Sequence, residues 1–73
     1  MKLHIEFCVM WNYGPEFDRV SKIIKSVRDD IQISSNTFKP RSGAFEVELN
    51  GNLIFSKLST GRFPEKIEVL SWF

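Results

Sequence analysis

Phe45-Glu46-Val47-Glu48-Leu49-Asn50-Gly51-Asn52-Leu53-Ile54-Phe55-Ser56-Lys57 is two alternating apolar and polar runs around Asn-Gly. Alternation with a period of two puts one row of side chains on a core face, and Asn-Gly between two such runs signals a β-hairpin. Two registers compete. A two-residue turn at Asn50-Gly51 sets Val47 opposite Ile54 and leaves Leu53 and Phe55 beside Glu46 and Glu48. A three-residue loop, Asn50 to Asn52, pairs Leu49 with Leu53 and Val47 with Phe55, and it gathers five apolar residues, Phe45 included, on one face. A one-residue slip exchanges the faces, so burial decides, and the longer loop is expected.

Upstream, Lys2 to Cys8 reads as a strand, with Leu3, Ile5 and Phe7 alternating against Lys2, His4 and Glu6. Cys8 stands at its C-terminal end, before Val9-Met10-Trp11-Asn12-Tyr13-Gly14. A helix is expected from Pro15, a residue suited to a first helical position, with Glu16 and Asp18 placed where the helix dipole is positive. Phe17, Val20, Ile24, Val27 and Ile31 form its apolar stripe, and Asp29-Asp30 marks its end. Ile31 to Phe38 reads as a less regular strand, and Lys39-Pro40-Arg41-Ser42-Gly43 as a loop. Downstream of the hairpin, Ser59-Thr60-Gly61-Arg62 is a turn. Phe63-Pro64-Glu65 opens a short helix with Ile67, Leu70 and Phe73 toward the core.

The order is β-α-β-β-β-α, an α+β two-layer sandwich with a mixed four-stranded sheet and helices sharing one face. The first two strands, joined across a helix, are expected to run parallel. Residues 1–73 make a single domain. With 42% hydrophobic residues and seven phenylalanines the chain has material for a core, although a domain this small is only modestly stable. Uncovered apolar surface at Trp72 and Phe73 suggests a monomer or a weak homodimer.

Ten basic against nine acidic residues give a net charge of +1, which leaves no electrostatic footprint for nucleic acid. The longest apolar run, Phe7 to Trp11, is far short of a membrane span. His4 and Glu6 interrupt any signal-peptide core, and a single cysteine forms no internal disulfide, so a cytoplasmic home is expected. One Cys and one His do not supply the usual four-ligand zinc site, and no bound cofactor is expected.

Ser42-Gly43-Ala44-Phe45-Glu46-Val47, continued through Asn50-Gly51-Asn52-Leu53-Ile54-Phe55-Ser56-Lys57 to Gly61-Arg62-Phe63-Pro64-Glu65, resembles the selenoprotein W-like family. The opening does too, a strand ending in Cys8 before an aromatic loop and an amphipathic helix. The resemblance implies a thioredoxin-like fold and thiol-based redox function, linked to glutathione in some members. The family motif is C-x-x-C or C-x-x-U at the first strand–helix junction. Here that window is Cys8-Val9-Met10-Trp11, so Cys8 matches the first redox position and Trp11 occupies the second.

A thiol reacts as its thiolate, which positive potential such as that of a helix N-terminus favours. Trp11 has no thiol to resolve a mixed disulfide, so the expected chemistry of Cys8 is monothiol exchange with glutathione as co-substrate or with a partner protein. A buried cysteine acting as a small hydrophobe is the competing reading, and with it a non-catalytic binding or redox-sensing module. Trp11 and Tyr13 form either an aromatic lip for a partner or a cover for the core edge. In thioredoxin-like folds the loop holding Arg41, Ser42 and Gly43 approaches the redox motif. Arg41 or the Ser42-Gly43 backbone there could stabilise a thiolate or a glutathione carboxylate; a solvated arginine is the alternative. Glu6 is expected to be solvated. His4, four residues from Cys8 along an extended strand, is about 13 Å away and out of contact.

Overall fold

The computed structural model describes all residues except Thr37 and Phe38. Strand β1 (Lys2–Phe7) leads into helix α1 (Gly14–Val27), then strand β2 (Gln32–Ser35), the hairpin of β3 (Phe45–Leu49) and β4 (Asn52–Ser56), and two short helices, α2 (Lys57–Thr60) and α3 (Lys66–Ser71). The four strands form one mixed sheet in the order β2-β1-β3-β4. β1 is parallel to β2, as a helical crossover dictates, and antiparallel to β3. The α+β two-layer architecture matches expectation, with one helical turn, α2, added after the hairpin.

The core follows the period-two pattern. Leu3, Ile5 and Phe7 lie opposite Leu49, Val47 and Phe45, and of these Leu3, Ile5, Phe45 and Val47 are wholly buried. Helix α1 covers this row with Val20 and Ile24, and Phe17 stacks on Phe7 with ring centroids 5.0 Å apart. Each fully buried side chain of this size contributes roughly 1.5–3 kcal/mol of transfer free energy, which makes this row the main source of stability. Arg19 ties α1 to the segment that leads into α3. Its guanidinium binds Glu16 one turn earlier and donates to the Pro64 carbonyl at 2.7 Å.

The hairpin contains both registers. Asn50 and Gly51 have φ of 50° and 85°, the pair of left-handed residues that a two-residue type I′ turn requires. At the tip Leu49 therefore pairs with Asn52 and Glu48 with Leu53, which corrects the expected Leu49–Leu53 pair. Further along, Val47 pairs with Phe55 as expected. A bulge at Ile54 absorbs the one-residue difference. Turn chemistry sets the near end, and burial of Phe55 sets the far end. Leu53 is left on the polar row beside Glu48, 60% exposed.

Other boundaries also need correcting. β2 runs only from Gln32 to Ser35; the end of the expected strand, Thr37-Phe38, lies outside the described residues. Ile31 is buried, but from the connection before β2 and not from the helix. Val27, the last residue of α1, is half exposed where the chain leaves the helix at an extended Arg28. The stripe of α3 is Val69, Trp72 and Phe73 in place of Ile67, Leu70 and Phe73. Val69 is fully buried and Trp72 packs on Phe55, whereas Ile67 is 74% exposed. Two aromatic rings remove more area from water than Ile67 and Leu70, and they decide which face of the short helix turns inward. Trp72 and Phe73, weighed as apolar surface that a weak homodimer would cover, are partly buried against the core.

Candidate functional site

The site is built at the C-terminal end of β1, where two backbone bonds hold Cys8 and a side-chain brace holds Phe7 before it. Just before it, Asn36 replaces a strand partner. Its side-chain amide accepts from the Phe7 N–H and donates to the Phe7 carbonyl, both at 2.9 Å, beyond the point where β2 stops. The Cys8 N–H donates to the Ala44 carbonyl at 2.9 Å, and the Cys8 carbonyl accepts from the Tyr13 N–H at 3.1 Å. Between them Val9 to Asn12 form a tight turn, closed by the Asn12 N–H on the Val9 carbonyl, with Asn12 in the left-handed region at φ 59°. Tyr13 is the N-cap of α1, so the loop folds the start of the helix back onto the Cys8 backbone.

The Cys8 side chain is 2% exposed. It forms the floor of a largely apolar pocket of about 330 Å³, whose walls are two loops: Val9 and Met10 on one side, Lys39, Pro40 and Ser42 on the other. Val9, Met10 and Trp11 are themselves turned outward, Met10 to 84%. Trp11, at the second position of the redox window, stands on Gly43. A Cβ at Gly43 would meet the Trp11 ring at 3.0 Å, and its φ of 74° independently favours glycine.

The two aromatic residues of the loop separate in role. Trp11 is an exposed lip, whereas Tyr13 is half-buried and packs into the core. An edge-to-face series runs from Trp11 through Tyr13 (6.2 Å) and Phe63 (4.7 Å) to buried Phe45 (5.4 Å). The Lys57 ammonium lies 5.3 Å from the ring centres of both Tyr13 and Phe63, within cation–π range.

Arg41 pairs with carboxylates of this chain. Its backbone N–H and guanidinium together clasp the Glu6 carboxylate at 2.7, 3.2 and 2.8 Å, and its guanidinium lies 4.0 Å from Glu46. Glu6 and Glu46 are direct cross-strand neighbours, so Arg41 neutralises two carboxylates that would otherwise repel. Its hydrogen bonds hold the Glu6 carboxyl below the ordinary carboxylate range. Glu6, expected to be solvated, is thus paired. His4 bonds through Nδ1 to the Ser34 hydroxyl at 2.9 Å.

Several residues that shape the site are not named as site residues from the sequence. Asn36, Lys39, Pro40 and Met10 are among them, and so is Glu46, a buried carboxylate that accepts from the Ser56 hydroxyl and from the N–H groups of Lys57 and Leu58. The polar position of Glu46 on an alternating strand signals an outward residue, and only the sharp turn into α2 covers it. Among the described residues no cluster of His, Cys, Asp or Glu could hold a metal ion, and no helix is long and apolar enough to cross a membrane.

Comparison with known proteins agrees with this geometry. The Rdx family model matches residues 2–72. The chain is 30% identical over 70 residues to migration and invasion enhancer 1 of Bos taurus, covering 96% of this chain and 59% of that protein. A shorter stretch of 33 residues is 61% identical to a SelT-like protein of Arabidopsis thaliana, covering 45% of this chain and 16% of that one. The chain therefore spans about three fifths, or less, of the length of these curated relatives. Among solved structures, the selenoprotein W-related protein of Vibrio cholerae superposes with a TM-score of 0.81 at 23% identity, over 97% of this chain and 88% of that one. A protein of Bordetella parapertussis superposes with a TM-score of 0.83 at 17% identity, over 96% and 89%. The fold is shared with both, and the chain belongs to the Rdx family, a selenoprotein W-like group with a thioredoxin-like fold.

Proposed function

We propose that this chain is a single-thiol redox protein in which Cys8 exchanges mixed disulfides with glutathione or with a partner protein. The observation that carries the reading is the place of Cys8. It ends the central strand at the first strand–helix junction, at the first position of the family's redox window, and forms the floor of a pocket. The Cys8 thiolate attacks one sulfur of an external disulfide, the S–S bond breaks, and the other half leaves as a thiolate. A second external thiolate then attacks the mixed disulfide and releases Cys8. Trp11 takes no part in electron transfer, so both thiols come from outside, as the glutathione pool of the cytoplasm would supply them. Lys39 and Ser42 on the pocket wall offer an ammonium and a hydroxyl to a glutathione carboxylate.

Native protein incubated with oxidised glutathione is expected to gain one glutathione by intact mass, and Cys8→Ser none. Adduct formation only after denaturation, with none on the native chain, would sink the reading.

One observation favours a second reading, a binding module that retains the fold without the reaction. Val9, Met10 and Trp11 present three consecutive apolar side chains to solvent around a buried thiol. That reading expects a partner whose capture survives Cys8→Ser and is lost in Trp11→Ala. Capture lost in Cys8→Ser and reversed by reductant would instead indicate a mixed disulfide.

A further inference from the structure

The walls of the Cys8 pocket belong to two loops, and the wall contributed by Pro40 and Ser42 has Arg41 between them. Arg41 is the residue that fixes that wall. It is anchored by three hydrogen bonds to Glu6, two residues before Cys8 on the central strand. One of the three comes from the Arg41 main chain, so the clasp holds the loop backbone itself and not only a mobile side chain. Glu6 is in turn rigid, since it lies in the β1–β3 ladder directly opposite Glu46. On the opposite wall, Val9 and Met10 sit in a turn that the next residue, Trp11, leans against Gly43. The walls part when the 39–43 loop moves, and the clasp ties that loop to β1 two residues before Cys8.

We propose that the Glu6–Arg41 clasp holds the pocket closed over Cys8 and sets how often the thiol becomes reachable from solvent. Glu6 and Arg41 are positioning residues: they act on the loop and touch no reacting atom. The clasp accounts for a cysteine that is 2% exposed yet forms the floor of a pocket. Its opening is local, a separation of the 39–43 loop from β1 with the sheet intact.

The test measures the rate at which iodoacetamide, a neutral reagent, modifies Cys8 in the native full chain at fixed pH, for wild type, Glu6→Gln, Arg41→Gln and the double variant. Weakening the clasp is expected to speed modification in both single variants, by about five- to tenfold for the loss of the charge-assisted side-chain bonds at a partly exposed pair. Arg41→Gln keeps the main-chain bond. The double variant is expected to be no faster than the quicker single, because both changes weaken the same contact. A purely electrostatic action on the thiolate gives the opposite pattern: removing the carboxylate speeds the reaction and removing the guanidinium slows it. Opposite signs, or unchanged rates in both, overturn the proposal.

A global loss of stability could also speed modification, so each rate is repeated in low urea. Local opening exposes little surface and leaves the rate nearly flat, whereas global unfolding makes it rise steeply. A steep rise in the variants overturns the proposal. Arg28→Gln, which breaks the distant Arg28–Asp30 pair, is expected to leave the rate at the wild-type value. If Glu6→Gln does not fold, Arg41→Gln decides alone, by the direction of its change. The measurement uses no glutathione, so a failure of the redox reading leaves this result standing, and the reverse also holds.

Discussion

At the scale of single residues, two carboxylates that face each other across the β1–β3 ladder do different work. Glu46 is buried and fully engaged, accepting from the Ser56 hydroxyl and the first two N–H groups of α2. It joins the end of the hairpin to the helix that follows. Glu46→Ala leaves those three donors without their acceptor, with Ser56 and Lys57 only partly buried and Leu58 exposed, and the expected cost is about 1–3 kcal/mol, read from urea unfolding. A loss below 0.5 kcal/mol would mean that the carboxylate is not the acceptor that organises this turn. Glu6 is the member clasped by Arg41. Its folded pKa is depressed, chiefly by its side-chain bonds to Arg41, from an ordinary value of 4.5. A depressed carboxyl contributes stability in full above that ordinary value, and the contribution is lost as pH falls through the lower folded one. Glu68 beside Arg62 and Asp30 beside Arg28 shift in the same direction and add to the same acid loss. The acid limb of stability against pH is therefore expected to be shallower in Glu6→Gln than in wild type, but not flat. Parallel limbs would show that the Arg41 bond does not form in solution.

At the scale of elements, much of the architecture was legible because periodicity and turn chemistry are local. The alternation of Leu3, Ile5 and Phe7, the stripe of Phe17, Val20 and Ile24, and Asn50-Gly51 each marked an element. Three misreadings have one cause, which is that tertiary burial chooses between local patterns of nearly equal merit. Leu53 left the core face because a bulge reconciles a two-residue turn with the Val47–Phe55 pair. Ile67 lost its place to Trp72 and Phe73, and Val27 lay beyond the part of α1 that the sheet covers. The position of Cys8 was readable from the strand–helix order and the redox window. Its burial, the Asn36 brace and the Glu6–Arg41 clasp were not, because each joins residues about thirty or more apart in sequence, with no spacing to announce it. The turn gives an element-scale prediction. Gly51→Ala places a Cβ at φ 85° with no neighbour within 4 Å, so backbone strain alone acts. The expected loss is about 1 kcal/mol by urea unfolding, and unchanged stability would argue against the type I′ turn.

At the scale of the whole molecule, the question is what a 73-residue chain does with its remaining apolar side chains. A domain this small has few core positions to spare, and α3 with the two residues after it supplies Val69, fully buried, and the partly buried Trp72 and Phe73. Trp72 lies with its ring centroid 6.3 Å from that of Phe55, which is buried on β4, and so joins the last helix to the edge strand of the sheet. If these aromatics served mainly as a dimer surface, removing one would weaken association and leave the folded monomer little changed. Because they close the core of a single copy, the opposite is expected. Trp72→Ala should lower the unfolding free energy by about 2–4 kcal/mol, within the range for truncating a large aromatic that is only partly buried. Sedimentation of the folded variant should give the wild-type mass at every concentration tested. A concentration-dependent mass in wild type that disappears in Trp72→Ala, with the unfolding free energy preserved, would assign the ring to a subunit interface instead. The same pair of measurements on Ile67→Ala is expected to change neither quantity, since that side chain projects into solvent and supports no part of the core.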